Sequence, residues 1–198
     1  YAWEKELEEL GYVSDWQVEY KWDGIRGQIV KRNDEIFIWS RGEELVTNQF
    51  PELVEAIKQL EGDFVIDGEI LALKDNEVLL FNDLQKRLNR KNVTKKLLDD
   101  VPIGFYVYDM MESEGEDIRE QPMKKRREHL EQLFKSVPID NSTLFLSETI
   151  NTESWEELIP IREQARERNS EGLMLKHKAS PYHVGRKTGD WWKWKVDP

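Results

Sequence analysis

The segment EYKWDGIR at residues 19–26 constrains the fold more than any other part of the sequence. Apolar and polar residues alternate on both sides of it, which predicts two strands over 16–21 and 25–32. Because glycine tolerates positive φ, Asp23-Gly24 suits a tight turn that joins these strands as a hairpin. The hairpin places Lys21 at a strand end, where rigid backbone holds its side chain on the side that the turn faces.

The remaining pattern mixes strands and helices without a regular βαβ alternation, which predicts the α+β class with largely antiparallel sheets. Further strands are predicted at 35–40, 63–74, 103–110, 144–150, 171–177 and 190–196. Helices are predicted at 3–10, 51–60, 82–88, 94–99 and 122–134. Asn82 is expected to cap one of them, and a helix opened by a Ser154-x-x-Glu157 capping box is expected to kink or break at Pro160.

The composition excludes several classes of site. The 198 residues contain no cysteine, so disulfides, cysteine-bound zinc and a thiol nucleophile are excluded. There is no run of 18 apolar residues and no signal-peptide pattern, so no membrane association is expected. The net charge of −11 is unusual for a protein that binds nucleic acid. Basic residues nevertheless cluster at 86–96, 124–127 and 176–195, which leaves room for a local basic face.

Lys21 is a candidate nucleophile. A lysine amine has a pKa of about 10.4 and attacks only in its neutral form. Partial burial and a second cation nearby, Arg26 or another lysine, both lower such a pKa. The alternative interpretation is a solvated hairpin in which the two basic side chains pair with Glu19 and Asp23.

Carboxylates and lysines recur in later predicted strands. Asp67-Gly68-Glu69 places two carboxylates in an otherwise apolar strand, and Glu69 suits either a metal or ribose hydroxyls; the alternative is a sheet with one polar face. Glu171 and Lys176 point to opposite faces of an ideal strand, so they share a site only if the strand twists or bulges, or if they bracket the ligand. Lys193 and Lys195 share a face and repel unless an anion lies between them; the alternative is a solvated edge strand.

Six motifs in order make the chain resemble the covalent nucleotidyltransferases, and among these the ATP-dependent DNA ligases most closely. The motifs are Glu19-x-Lys21-x-Asp23-Gly24-x-Arg26, Ser40-Arg41-Gly42, Val65–Glu69, Phe105–Asp109, Glu171–Lys176 and Trp192–Lys195, the last preceded by Tyr182-x-x-Gly185-Arg186-Lys187. The resemblance covers nearly the whole chain. It implies a nucleotidyltransferase (ATP-grasp-like) domain of mainly antiparallel sheets flanked by helices, with the nucleotide pocket between them.

The resemblance implies that Lys21 attacks the α-phosphate of ATP, expels pyrophosphate and carries a covalent lysyl-AMP. The AMP then passes to the 5′-phosphate of nicked double-stranded DNA before the 3′-hydroxyl seals the strand. Glu19 is implied to read the adenine amine and Tyr108 to stack on the ring. The other implied nucleotide contacts are Tyr20, Arg26, Arg41, Glu69, Glu171, Lys176, Lys193 and Lys195.

More specific roles also follow from the likeness. The residues implied to hold the ribose and the nearby phosphate are Arg26, Arg41 and Glu69. Those implied to bind the triphosphate or the AMP phosphate are Lys176, Lys193 and Lys195. The divalent metal, Mg²⁺ or Mn²⁺, is implied to be held by Glu69 and Glu171.

Residues 1–198 are expected to form the adenylation (nucleotidyltransferase) domain, because ligases of this kind carry an OB-fold domain after the last lysine motif. That OB-fold domain is an expected partner in cis. The enzyme is expected to be an intracellular monomer, cytoplasmic or nuclear, that serves DNA replication, repair or recombination. The alternatives are an RNA ligase, an mRNA capping guanylyltransferase that uses GTP, and a non-catalytic nucleotide-binding module. Arg41-Gly42-Glu43 and Trp192–Lys195 look more like DNA ligase than like the first two.

Overall fold

The computed structural model describes residues 7–183 and 189–196. The strands are β1 (Trp16–Trp22), β2 (Ile25–Arg32), β3 (Glu35–Ser40), β4 (Glu44–Leu45), β5 (Phe64–Lys74), β6 (Glu77–Val78), β7 (Ile103–Ser113), β8 (Glu116–Asp117), β9 (Leu144–Leu146), β10 (Ser170–His177) and β11 (Trp191–Lys195). The helices are α1 (Pro51–Lys58), α2 (Phe81–Leu88), α3 (Lys95–Asp100), α4 (Met123–Phe134) and α5 (Leu158–Glu163). The predicted α+β class, with mainly antiparallel sheets, is confirmed.

The strands form two sheets. The larger sheet has the order β4-β3-β2-β5-β7-β8, with β6 on β5 and β9 on β7, and the smaller has the order β1-β10-β11. The pairing of β7 with β9 is parallel, whereas the pairings of β1, β2 and β10 with their neighbours are antiparallel.

The connection between β1 and β2 differs from the predicted hairpin. β1 pairs with β10, whereas β2 pairs with β3 and β5, so Asp23-Gly24 crosses from one sheet to the other. Gly24 lies against β5 so closely that a Cβ atom there would be 2.3 Å from the Ile70 carbonyl oxygen. A glycine is needed at this crossing because there is no space for a side chain.

Each sheet has a hydrophobic core of its own. Ile29, Phe64 and Leu130 are among the fully buried residues of the larger core, which joins the larger sheet to α1 and α4. The smaller core contains Trp16 and Leu173 from β1 and β10, packed with residues around α5. Two separate cores leave a cleft between the sheets.

Three predicted details near helix and strand ends are wrong. α2 begins at Phe81, so Asn82 is not its cap. α5 begins at Leu158, which puts Pro160 in the first turn, where a missing N–H costs no helical hydrogen bond. The helix therefore does not break there. β9 ends at Leu146 rather than at residue 150.

The predicted helix over 3–10 is represented by a single 3₁₀ turn at Leu7–Leu10. Its earlier part, with Trp3, lies outside the described residues, as do Gly185, Arg186 and Lys187 of the motif that follows Tyr182. No helix within 7–183 and 189–196 is long and apolar enough to cross a membrane.

Candidate active site

A cleft of about 580 Å³ lies between the two sheets, and Lys21 lines it from the end of β1. Nine of the predicted nucleotide contacts line this cleft: Glu19, Tyr20, Lys21, Arg26, Arg41, Glu69, Tyr108, Lys176 and Lys193. The other two, Glu171 and Lys195, line an adjoining pocket together with Asp23. Residues from all six motifs thus line these two adjoining pockets.

A β-bulge connects the adjoining pocket to Lys21. The β1–β10 register pairs Lys21 with Gly172 but Trp22 with Ser170, so β10 carries one extra residue at this point. The Glu171 carboxylate accepts a hydrogen bond from Lys21 Nζ, and Lys195 Nζ lies 3.9 Å from the same carboxylate oxygen. The strand therefore bulges, which is one of the conditions under which Glu171 and Lys176 were predicted to serve a single site.

Lys193 lies close to three other positive charges, those of Lys21, Lys195 and Arg41. Burial lowers the pKa of Lys193 from its usual value, and the nearby charges of Lys21, Lys195 and Arg41 lower it further. The second cation near Lys21 is thus a lysine of β11, since Arg26 is bonded to Asp67. An anionic ligand relieves this repulsion between positive charges, which makes the group a natural phosphate site.

Arg26 is held by a carboxylate to which the sequence analysis gave no role. Its Nη2 lies 2.6 Å from Asp67 Oδ2 and its Nε 3.2 Å from Oδ1, a two-point contact with a fully buried side chain. Tyr182 Oη accepts a hydrogen bond from Arg26 Nη2 at 2.9 Å and donates to Asp67 at 3.2 Å. The hydrogen bonds to Asp67 fix the orientation of the Arg26 guanidinium. They also raise its pKa above its usual value.

Glu69 lies two residues further along β5 and shows the largest shift among the carboxyl groups of the cleft. Burial raises its pKa to about 7. The charge of Lys21 and a 3.3 Å hydrogen bond from the Gly24 N–H favour the ionised form but do not offset burial. Burial also raises the pKa of Asp23, whose neighbour Glu171 adds to the effect.

Glu19, two residues before Lys21 on β1, is 1 % exposed and yet lines the cleft wall. Lys176 Nζ lies 2.7 Å from Glu19 Oε2, and the Gln17 amide donates to the same oxygen at 3.0 Å. Among the described residues, Glu19 Oε1 has no hydrogen-bond partner. Lys176 is therefore engaged with Glu19, whereas the resemblance implied a role on phosphate.

Three contacts were not predicted from the sequence: Gln17 with Glu19, Asp67 with Arg26, and the Trp191 ring with Lys176. Gln17 and Glu19 are two residues apart in β1. Side chains two residues apart in a strand lie on the same face, so the sequence could have indicated that these two are neighbours. A carboxylate in an apolar strand also requires a partner. The identity of that partner is not a local property, because Arg26 and Asp67 are 41 residues apart.

The carboxylates available for a divalent metal are few. Among residues 7–183 and 189–196, no three histidine, cysteine or acidic side chains form a metal-binding cluster. Mg²⁺ is commonly held by one or two carboxylates together with water and substrate phosphates. Glu69, which lines the cleft, and Glu171, which is hydrogen-bonded to Lys21, fit a metal ion that is shared with a bound nucleotide.

Comparison with known proteins places this arrangement in a family. Residues 3–195 match the family model described as the ATP dependent DNA ligase domain. A probable DNA ligase of Koribacter versatilis is 35 % identical over 197 residues, covering 90 % of this chain and 34 % of the relative. A DNA ligase of Acidianus ambivalens is 36 % identical over 186 residues, covering 91 % of this chain and 30 % of the relative. The chain thus spans about a third of the length of these curated relatives.

Solved structures share the fold. The ligase domain of M. tuberculosis LigD superposes with a TM-score of 0.72 at 24 % identity, covering 93 % of this chain and 56 % of that one. The Chlorella virus DNA ligase-adenylate gives 0.71 at 18 % identity, with coverages of 96 % and 65 %. The ATP-dependent DNA ligase of bacteriophage T7, in complex with ATP, gives 0.65 at 20 % identity, with coverages of 92 % and 62 %.

Proposed function

Because the chain belongs to the ATP-dependent DNA ligase domain family, we propose that it is the adenylation domain of a DNA ligase, with Lys21 as the nucleophile. The observation that carries this proposal is the position of the Lys21 amine. It lies between two sheets, bonded to Glu171, with a group of cations beside it and a buried acceptor in the wall of the same cleft.

In the proposed step, the Lys21 Nζ lone pair forms a bond to the α-phosphorus of ATP. The bond from this phosphorus to the bridging oxygen breaks, and its electron pair leaves with pyrophosphate. Glu171 is positioned to accept the proton that Nζ must lose, since it is already bonded to that nitrogen. Lys193 and Arg41 stabilise the negative charge on the phosphoryl oxygens.

Glu19 supports the choice of ATP over GTP. A carboxylate is an acceptor only, and the Oε1 atom of Glu19 has no hydrogen-bond partner among the described residues. The exocyclic amine of adenine is a donor that satisfies it, whereas the carbonyl oxygen of guanine leaves two acceptors facing each other. Tyr108 lines the same cleft and offers a ring face to the base.

A divalent metal, Mg²⁺ or Mn²⁺, fits the carboxylates Glu69 and Glu171. When bound, such an ion neutralises charge on the nucleotide phosphates. The protein's own contribution is to keep two carboxylates at the cleft and next to Lys21. Because burial raises the pKa of Glu69 to about 7, this side chain becomes a good metal ligand only towards neutral pH.

Nicked double-stranded DNA is the proposed acceptor of the AMP, and an OB-fold domain in the same polypeptide is the proposed partner for sealing. Both parts of the proposal rest on family membership. The local geometry is compatible with it, since Arg26 and Arg41 lie at the junction of the cleft with two neighbouring grooves on the larger sheet.

The experiment that tests the proposal is intact-mass measurement of the 198-residue chain before and after incubation with ATP and Mg²⁺. We expect a gain of one AMP that pyrophosphate reverses and that Lys21→Ala abolishes. Lys58→Ala is the matched control, because Lys58 is exposed and pairs with Glu55 on the surface. Labelling that survives in Lys21→Ala contradicts the assignment of the nucleophile.

The capping-enzyme alternative is tested with GTP in the same assay. If the acceptor geometry at Glu19 selects the base, GTP gives no labelling under conditions that saturate with ATP. Preferential labelling by GTP contradicts the DNA ligase proposal and favours a guanylyltransferase. An RNA ligase is distinguished afterwards by the acceptor, with nicked DNA and nicked RNA duplexes offered to the adenylated protein.

A further inference from the structure

Glu19 is held through only one of its two carboxylate oxygens. We propose that Lys176 and Gln17 are positioning residues for base recognition: they fix Glu19 through Oε2 and leave Oε1 as the single acceptor offered to the base. This inference rests on the proposed function, because it assigns the base-selecting part of the same cleft. It places Lys176 at the base end rather than at the phosphates.

The two donors converge on one atom. Lys176 Nζ lies 2.7 Å from Glu19 Oε2, and Gln17 Nε2 lies 3.0 Å from it. Gln17 and Lys176 face each other across the β1–β10 pair, and Glu19 is two residues from Gln17 on the same face. All three residues are at least nine-tenths buried, so water does not compete for these contacts.

Aromatic rings fix the ammonium of Lys176. Its Nζ lies 4.3 Å from the centre of the Tyr108 ring and 4.6 Å from the centre of the Trp191 ring. A buried cation between a carboxylate and two ring faces is stabilised where it is, and moving it to a phosphate breaks all three contacts. Lys193 and Lys195, further along β11, are exposed and remain available for phosphate.

This geometry makes a specific prediction for Glu19→Gln. An ammonium group is a donor only, so Lys176 requires the amide oxygen at the place of Oε2. The amide NH₂ group must then occupy the place of Oε1 and present donors to the base. The cleft of this variant is matched to the carbonyl oxygen of guanine and mismatched to the amine of adenine.

The test is the ratio of AMP to GMP affinity, measured by titration calorimetry. The wild-type chain is expected to prefer AMP. Glu19→Gln is expected to shift this ratio towards GMP by about tenfold or more, in keeping with one exchanged hydrogen bond. Adding Lys176→Met removes one of the two donors that orient the amide while keeping an unbranched chain, and is expected to reduce the shift strongly. Lys58→Met serves as the control for a lysine replaced on the surface.

A buried lysine is not always replaceable, so a second variant keeps the test decisive. Glu19→Gln combined with Gln17→Leu retains Lys176 and loses one of the two donors to Oε2, and is expected to show a weaker shift towards GMP. An unchanged shift in both double variants overturns the positioning role. Because AMP and GMP binding requires no transfer step, a chain that discriminates between them but is not labelled by ATP refutes the proposed catalysis and leaves this inference standing.

Discussion

The carboxyl group of Glu69 shows how burial sets protonation in the cleft. Its pKa is raised to about 7 although Lys21 and the Gly24 N–H both favour the charged form. Asp67, two residues earlier on the same strand, is fully buried and adds repulsion between like charges. Glu69 therefore keeps its proton over a pH range in which a solvated glutamic acid has lost it.

A raised pKa in the folded state makes stability depend on pH with a definite sign. Between the unfolded value of 4.5 and the folded value of about 7, the folded chain binds more protons at Glu69 than the unfolded chain. The free energy of unfolding therefore falls as pH rises through this window and is flat above it, with an upper bound of about 3 kcal/mol.

The prediction is tested with Glu69→Gln, which cannot titrate. Relative to this variant, the wild-type chain is expected to lose stability progressively from about pH 4.5 to about pH 7 in urea unfolding. Glu77→Gln is the control, because Glu77 is exposed on the neighbouring strand β6. A wild-type-minus-variant difference that stays constant across the window contradicts the assigned burial of Glu69.

At the scale of elements, the bulge in β10 holds the site together. Gly172 has φ +142° and pairs with Lys195 of β11 as well as with Lys21 of β1. A Cβ atom at this position would lie 2.3 Å from the Trp194 carbonyl oxygen and 2.7 Å from Lys195 Cα. Both contacts are to backbone, which cannot turn aside as a flexible side chain does.

Gly172→Ala is therefore expected to destabilise the chain by more than about 2 kcal/mol and to lower labelling by ATP under conditions where the protein is still folded. The matched control is Gly62→Ala, where φ is +91° and nothing lies within 4 Å of the added atom, so only the backbone cost of about 1 kcal/mol remains. Urea unfolding of both variants gives the comparison. Equal losses of stability would show that backbone conformation, not the close approach of β11, dominates at Gly172.

The same elements show which parts of the fold were predictable from sequence. Alternation and turn residues located most strands, because both are local properties of the backbone. The pairing of β1 with β10 was not local, since Lys21 and Glu171 are 150 residues apart. For this reason a hairpin was predicted where the chain crosses between sheets. The bulge was predicted only as one condition for a site shared by Glu171 and Lys176. A single extra residue cannot be recognised in the hydrophobic pattern of the strand.

At the scale of the whole molecule, the local charge at the cleft differs in sign from the net charge of the chain. The net charge is −11, yet Lys21, Arg41 and Lys193 lie close together at the cleft. The motifs predicted most of the charged residues that line this cleft, because short and distinctive motifs can be recognised in a single sequence. They did not predict which cation pairs with which carboxylate, as the contact of Lys176 with Glu19 shows.

The two sheets have separate cores, and the cleft draws residues from both. Lys21 and Lys193 belong to the smaller sheet, whereas Glu69 and Tyr108 belong to the larger. A nucleotide that contacts both sheets stabilises the folded chain by about 2.7 kcal/mol at a hundred times its Kd. We expect it also to couple the opening of the two separate cores.

Hydrogen exchange on a matched pair of variants tests this coupling. Leu173→Ala in the smaller core and Leu130→Ala in the larger core each remove a fully buried leucine, with an expected cost of about 2–5 kcal/mol. Without nucleotide, each variant is expected to lose amide protection mainly in its own sheet, β1 and β10 for the first and β5 and β7 for the second. With saturating ATP, protection is expected to recover in both sheets, because the ligand adds contacts across the cleft. If either variant lowers protection equally in both sheets without nucleotide, the cores unfold as one unit and the nucleotide is not what joins them.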